Sequence, residues 1–335
     1  MDKIAYIIGE TFIYWNSIIL ILAAAAAICM FLFLYLRERG TGISAALLIP
    51  LAVVASIIAA RTVHWYCRAD AYTDLKGALT TFTGGGYALM GVFAGCAVTA
   101  LLLRLLGIIR NLPHTFDCMA LGGGVGIAVG RLACLYNTMD RGPVIESIRT
   151  LPLVYPVSNA VTGVVEWRFA TFMIQAIVTG IITVCLLVFY LIGQRGKIRR
   201  VKDGDTACLW LCAYGASQVV LDSTRYDSLF MRSNGFISIV QILGAAALIL
   251  TFIYFSVRMV KARGFKWWYV PVWLVYAGCT GGAGYMEYWV QRHGDQALFS
   301  YSVMSACLVM LVALTVVVRL LAVTRERKLA QAQNI

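Results

Sequence analysis

The chain has 335 residues, 61% of them hydrophobic and only 13% charged, and apolar runs this long cannot cover one another in water. A soluble domain is excluded and an integral membrane protein is expected. The formal net charge of +12 would suit a nucleic-acid binder, but its distribution follows membrane topology, so no nucleic-acid partner is expected.

Apolar runs of about 17–25 residues predict nine membrane helices, near residues 12–36, 43–60, 88–108, 115–135, 170–193, 206–222, 236–257, 268–289 and 298–322. With the N-terminus outside and the C-terminus inside, the inner loops hold 17 of the 28 Lys and Arg residues and 5 of the 16 acids. The inner side is then net +12 and the outer side neutral. Each loop alternates as the positive-inside rule requires, with Arg37 and Arg39, Arg195 to Lys202, Arg258 to Lys266 and Arg319 to Lys328 all inside.

The first helix opens on Phe12, Tyr14 and Trp15, an aromatic group suited to the headgroup level. It is too long for a removed signal peptide and lacks a small-residue cleavage site, so it is expected to stay as an anchor. The second helix ends at Arg61. From there to Gly86 an amphipathic stretch containing His64, Trp65, Arg68, Tyr72 and Asp74 reads as an arm on the outer membrane surface. Gly84, Gly85 and Gly86 then form either a tight re-entry or a plain hinge.

In the fourth helix, Gly122, Gly126 and Gly130 share one face and leave a groove for another backbone or a lipid chain. Arg131 stands at the end of that groove. A guanidinium at a membrane edge is costly, and its planar fork suits phosphate; an interfacial arginine that snorkels beside packed helices is the alternative. A second outer segment, Asn137 to Arg168, carries Arg141, Pro143, Glu146, Arg149 and Pro152.

The sixth helix places Tyr214, Gln218 and Asp222 four residues apart, with Arg225 three further on, so all four line one face. Such a stripe does not face lipid by default. It forms either a self-neutralising Asp222–Arg225 pair with Gln218 bonded across helices, or one wall of a polar pocket opposite Arg131. Arg61, Arg131 and Arg225 fall near the outer helix ends, at a depth suited to an anionic lipid headgroup. The last two helices, with Gly278, Gly282, Gly284 and Glu287, read as a packing pair that could add a pocket wall. Of the ten cysteines, most lie in membrane runs and none has ligand-like spacing with His64, His114 or His293, so no metal site is expected.

Ala60-Arg61, Gly84-Gly85-Gly86, GRLACLYNTMDRG, FMIQAIVTG and YGASQVVLDSTR, in this order and membrane context, resemble the prolipoprotein diacylglyceryl transferase family. The resemblance covers about the first seven helices. It implies an all-α, polytopic membrane bundle with a transferase-like core over residues 1–257, followed by two added helices and a basic tail over 258–335. It also implies transfer of a diacylglyceryl group from phosphatidylglycerol, or a similar anionic phospholipid, to the lipobox cysteine of a prolipoprotein, with glycerol phosphate released and no cofactor. The setting implied is the bacterial cell membrane, with the site facing outward.

Carried over position by position, Gly130, Arg131, Asn137 and Gly142 match the family signature, and Tyr214, Gly215 and Arg225 match the sixth-helix motif, where Asp222 keeps a carboxylate. The implied catalytic residues are Arg131, Asn137, Tyr214 and Asp222; the implied substrate-binding residues are Arg131, Arg225, Arg61, Gly142 and Gln218. Phe169-Ala170-Thr171-Phe172 stand where the family has a histidine-proline-serine-glutamine run before the fifth helix, and four single positions also depart from the family. Cys134 stands for an asparagine, Met139 for a glutamate with Asp140 next to it, Gln218 for an arginine and Leu89 for a histidine. A phospholipid-binding protein of the same fold without turnover is the alternative reading.

Overall fold

The computed structural model describes residues 4–9, 11–38, 40–80, 85–145, 153–158, 163–194, 201–231, 234–293 and 296–333. Among them are α1 (Trp15–Glu38), α2 (Gly42–Cys67), the short α3 (Leu75–Thr80), α4 (Leu89–Leu105), α5 (Leu112–Gly130), α6 (Thr171–Gln194), α7 (Asp205–Ser223), α8 (Ile239–Arg263), α9 (Tyr269–His293) and α10 (Ala297–Gln333). The nine long helices correspond one for one to the nine predicted runs. α1, α2, α5 with the 3-10 turn after it, α6, α8 and α10 are long and apolar enough to cross a membrane, and α4 is a shorter apolar helix. α7 is less apolar because Asp205, Thr206, Gln218 and Asp222 lie on it, all buried inside the bundle.

Close helix packing depends on the small residues. A Cβ added at Gly122 would lie 2.8 Å from the Ala27 carbonyl oxygen, and one at Gly126 would lie 2.8 Å from Ala27 Cβ. The groove on α5 is therefore filled by the backbone of α1. α7 and α8 meet the same way, since a Cβ on Gly215 would approach the Gly244 carbonyl to 2.7 Å. Ser238 begins α8 with a capping box to Gln241. Asp117 of α5 accepts from the N–H groups of Gly204 and Ala207, at 2.7 Å each, and so caps the start of α7.

α9 and α10 pack on α7 and α8 through Tyr276, Ala283, Met304, Leu308 and Leu311, and Tyr276 stacks on Phe252. At one end of this group Asp205 pairs with Arg258 at 2.5 Å and with Arg319 Nε at 3.0 Å, and Glu326 pairs with Arg258 at 2.7 Å.

Three features extend the sequence reading. Antiparallel hairpins flank the helices: β1 (Ile4–Ile8) with β2 (Thr11–Tyr14) before α1, β3 (Val154–Ser158) with β4 (Val165–Phe169) between α5 and α6, and β5 (Phe230–Met231) with β6 (Asn234–Ser238) between α7 and α8. Phe12 and Tyr14 belong to β2, so α1 starts only at Trp15. α2 does not stop at Arg61 but continues to Cys67, because the buried guanidinium finds carbonyl partners. Arg39, Gly84, Glu146, Arg149, Pro152, Arg195, Lys197, Arg199 and Arg200, named from sequence, lie outside the described residues.

Candidate active site

α5 ends in a 3-10 turn, Arg131–Leu135, and the chain then bends through Asn137 to Gly142. Asn137 shapes that bend, its side-chain oxygen accepting from Met139 N–H at 2.9 Å and its carbonyl from Arg141 Nη2 at 3.1 Å. Asp140 follows with φ +54°, a left-handed conformation that costs a non-glycine residue about 1–3 kcal/mol. Its backbone is held from two sides. The Asp140 N–H donates to Asp227 at 3.0 Å, and the Asp140 carbonyl accepts from Phe172 N–H at 3.0 Å.

Gly142 donates to the Phe169 carbonyl of β4 at 2.8 Å, and a Cβ there would meet Thr171 Oγ1 at 2.9 Å, so any larger residue would push Thr171 or the bend aside. Tyr226 ties the same bend to the segment after α7, its N–H donating to the Arg141 carbonyl at 3.1 Å and its hydroxyl to the Thr138 carbonyl at 2.7 Å.

This folding brings the two predicted segments together at one ionic cluster. Arg131 pairs with one oxygen of Asp140, and Arg225 pairs with the other at 2.6 Å. Arg225 also pairs with Asp222 and Asp227, each at 3.0 Å. Ser238 at the start of α8 donates to the second oxygen of Asp222, which is fully buried. Burial raises the Asp140 carboxyl, and the guanidinium groups of Arg131 and Arg225 outweigh that and hold it at about 2, below the ordinary 3.8. Two arginines and three aspartates give the free cluster a net charge of −1.

Of the remaining predicted residues, Tyr214 lies next to the cluster, and Gln218 and Arg61 are bonded elsewhere. Tyr214 is buried in a stack with Trp210, and its hydroxyl lies beside Arg131. Gln218 is buried and accepts from Gln175 at 3.2 Å, a bond between α7 and α6. Arg61 is engaged with the arm, donating to the carbonyls of Ala78 at 2.8 Å, Gly86 at 3.1 Å and Gly85, and it lies over the rings of Tyr72 and Tyr87. His64 on the same helix bonds the Tyr72 hydroxyl at 2.9 Å.

Cys134, Leu89 and Met139 have physical roles of their own. Cys134 is buried, with its S–H donating to Asp140 at 3.3 Å as a weak donor. Leu89 packs in the apolar group around Trp210 and Tyr214, so that wall offers no base. Met139 is 52% exposed and approaches Gly85 at the edge of the arm.

Sequence reasoning missed three participants. The sequence offers Asp140 as the acid beside Met139 and as a candidate base, not as the shared carboxylate of two arginines, because its left-handed backbone has no local signal. Asp227, two residues after Arg225, stood in plain view in the run Arg225-Tyr226-Asp227. Arg141 is 3% exposed, held over the rings of Phe172 and Tyr155 with Nε and Nη1 unbonded. It supports the bend from beneath. From the appended helices, Glu287 accepts from Ser223 at 3.0 Å, next to Asp222 in the chain, so α9 touches the end of α7 that carries the cluster.

A model of the prolipoprotein diacylglyceryl transferase family matches residues 3–256, which takes in both halves of the cluster. The chain belongs to this family. Among similar proteins, a phosphatidylglycerol–prolipoprotein diacylglyceryl transferase of Streptococcus equi subsp. zooepidemicus is 23% identical over 253 residues, 74% of this chain and 94% of the relative. The enzyme of that name from Streptococcus uberis is 24% identical over 251 residues, 72% and 92%, and that from Streptococcus pneumoniae is 22% identical over 248 residues, 72% and 90%. In this diacylglyceryl transferase family member, α9, α10 and the last turns of α8 lie beyond the matched region.

Proposed function

We propose that the protein transfers a diacylglyceryl group from phosphatidylglycerol to the lipobox cysteine of prolipoproteins, and that the Arg131–Asp140–Arg225 cluster is where the donor phosphate binds. The observation that carries the site assignment is that two guanidinium groups from separate segments converge on one carboxylate. Asp140 occupies the place between them that a phosphodiester would take, with two acceptor oxygens directed at two forks. Donor binding is then an exchange of phosphate for carboxylate at Arg131 and Arg225.

The reaction forms a bond from the cysteine sulfur to the terminal glyceryl carbon and breaks that carbon's bond to the phosphate oxygen. The thiol proton leaves, and glycerol phosphate departs with one additional negative charge. Arg131 and Arg225 stabilise that charge as it develops. Asp222, fixed by Ser238, aims Arg225. The Tyr214 hydroxyl, which lies beside Arg131, donates to an oxygen of the bound phosphate. Asn137 and Gly142 set the bend that presents Asp140, while Arg61 orders the arm at the mouth. Gln218 acts by fixing α7 against α6. The charge distribution supports placing this end of the bundle outside.

A second reading, phospholipid binding without turnover, is favoured by one observation: Leu89 puts an apolar side chain where the family carries a histidine, inside the group that surrounds Tyr214. Purified protein, phosphatidylglycerol labelled in its acyl chains and a lipobox peptide separate the two. The transferase reading expects label on the peptide cysteine with equimolar glycerol phosphate. Retained lipid with no label on the peptide would leave only the binding reading.

A further inference from the structure

The end of the bundle opposite the cluster carries a second polar site. Between α8 and α10 lies a cavity of about 640 Å³ lined by Lys202, Tyr254, Val257, Arg258, Lys261 and Glu326. The volume is within the range that holds a small ligand or headgroup. Arg258 is fully used, giving Nη1 to Asp205 at 2.5 Å and both Nε and Nη2 to Glu326, at 2.8 and 2.7 Å. That bidentate pair neutralises the only acid in the lining. Lys202 and Lys261 are exposed and form no direct ion pair among the described residues; Lys202 lies within electrostatic reach of Glu326, and with Arg258 shared between Asp205 and Glu326 the mouth keeps a net positive charge.

The wall below the mouth has the other half of the chemistry. Tyr254, Val257 and Lys261 recur at i, i+3 and i+7 and share one face of α8. At 1.5 Å per residue, Tyr254 lies about 10 Å deeper than Lys261. Tyr254 and Val257 are 46% and 48% exposed on a helix long and apolar enough to cross a membrane. A cationic mouth that continues into an apolar, lipid-accessible wall fits a molecule with a phosphate at one end and a chain at the other. A free phosphate would use only the lysines.

We infer that this pocket binds the phosphate headgroup of an anionic phospholipid from the leaflet opposite the transfer site. Its lining comes from the segment before α7, from α8 and from α10, so the lipid would staple the appended helices to the family core. The site is separate from the Arg131–Asp140–Arg225 cluster and does not depend on what that cluster does.

The test is native mass spectrometry of the full chain in detergent, titrated with phosphatidylglycerol, phosphatidylcholine or glycerol phosphate. Lys202→Ala/Lys261→Ala is compared with Arg37→Gln/Arg104→Gln, which removes the same charge from exposed positions at the same end. At about five-fold per lysine near a lipid surface, the first variant should hold one phosphatidylglycerol about 30-fold more weakly. The second variant, and Lys202→Arg/Lys261→Arg, should retain it, and diacylglyceryl transfer should be unchanged in all three. Equal retention by the two charge-removal variants, or equal binding of phosphatidylcholine, would overturn the proposal. Occupancy by glycerol phosphate as tight as by phosphatidylglycerol would assign the pocket to a soluble anion and overturn it as well.

Discussion

Asp140 decides how the cluster behaves, because it is the counter-ion of both arginines while the donor is absent. Its carboxyl is held at about 2 against an ordinary 3.8, so the folded state binds this proton less readily than the unfolded chain does. The pairing therefore contributes fully above about pH 4 and is lost as the pH falls through 2, for a total of about 2 kcal/mol. Thermal unfolding in detergent should show stability falling between pH 4 and 2 in the wild type, with that portion of the slope absent in Asp140→Asn. At neutral pH Asp140→Asn removes the shared partner of the two guanidinium groups and should cost about 2 kcal/mol, the same loss that protonating the carboxylate produces. If phosphate replaces carboxylate in the working cycle, added phosphatidylglycerol should restore more stability to Asp140→Asn than to the wild type; equal gains would deny the exchange. The sequence carried Arg131, Asp222 and Arg225 openly, since charged residues at membrane helix ends stand out from their surroundings. The role of Asp140 was hidden because it depends on a left-handed bend and on a contact with Asp227 across 87 positions in the chain.

The elements were legible wherever hydropathy alone decides them, as in α1, α5, α6, α8 and α10. The glycine face of α5 was legible too, and its partner proved to be the Ala23–Ala27 backbone of α1. The hairpins were not, because β3 and β4 are short and take their register from pairing with each other and with the bend at Gly142. α2 overran its predicted end for a related reason, since a charged residue stops a hydropathy window but does not stop a helix whose arginine is satisfied by carbonyls. The appended helices are held by ionic pairing as well as by packing. Asp205 accepts from Arg258 on α8 and Arg319 on α10 while fully buried. Asp205→Ala should cost about 3–5 kcal/mol, read as a lowered Tm in detergent. A loss under 1 kcal/mol would mean that the apolar contacts of α9 and α10 suffice.

For the whole molecule, the charge asymmetry predicts that the cluster end faces outward and the Lys202–Lys261 end faces inward. A membrane-impermeant thiol reagent should reach a cysteine introduced at Asp74 on intact cells, and one at Lys266 only after permeabilisation; the reverse pattern would place donor and acceptor on the wrong side. The central claim is that Arg131 and Arg225 hold the donor phosphate and stabilise the charge that leaves with it. Arg131→Lys keeps the charge and removes the planar fork. The most direct measurement is transfer from labelled phosphatidylglycerol to a lipobox peptide by wild type and Arg131→Lys at matched amounts of folded protein. The account predicts that transfer falls by about 10²–10³, the usual cost of losing one electrostatic stabiliser of the transition state. Equal transfer by the two proteins would remove Arg131 from the site and contradict the account.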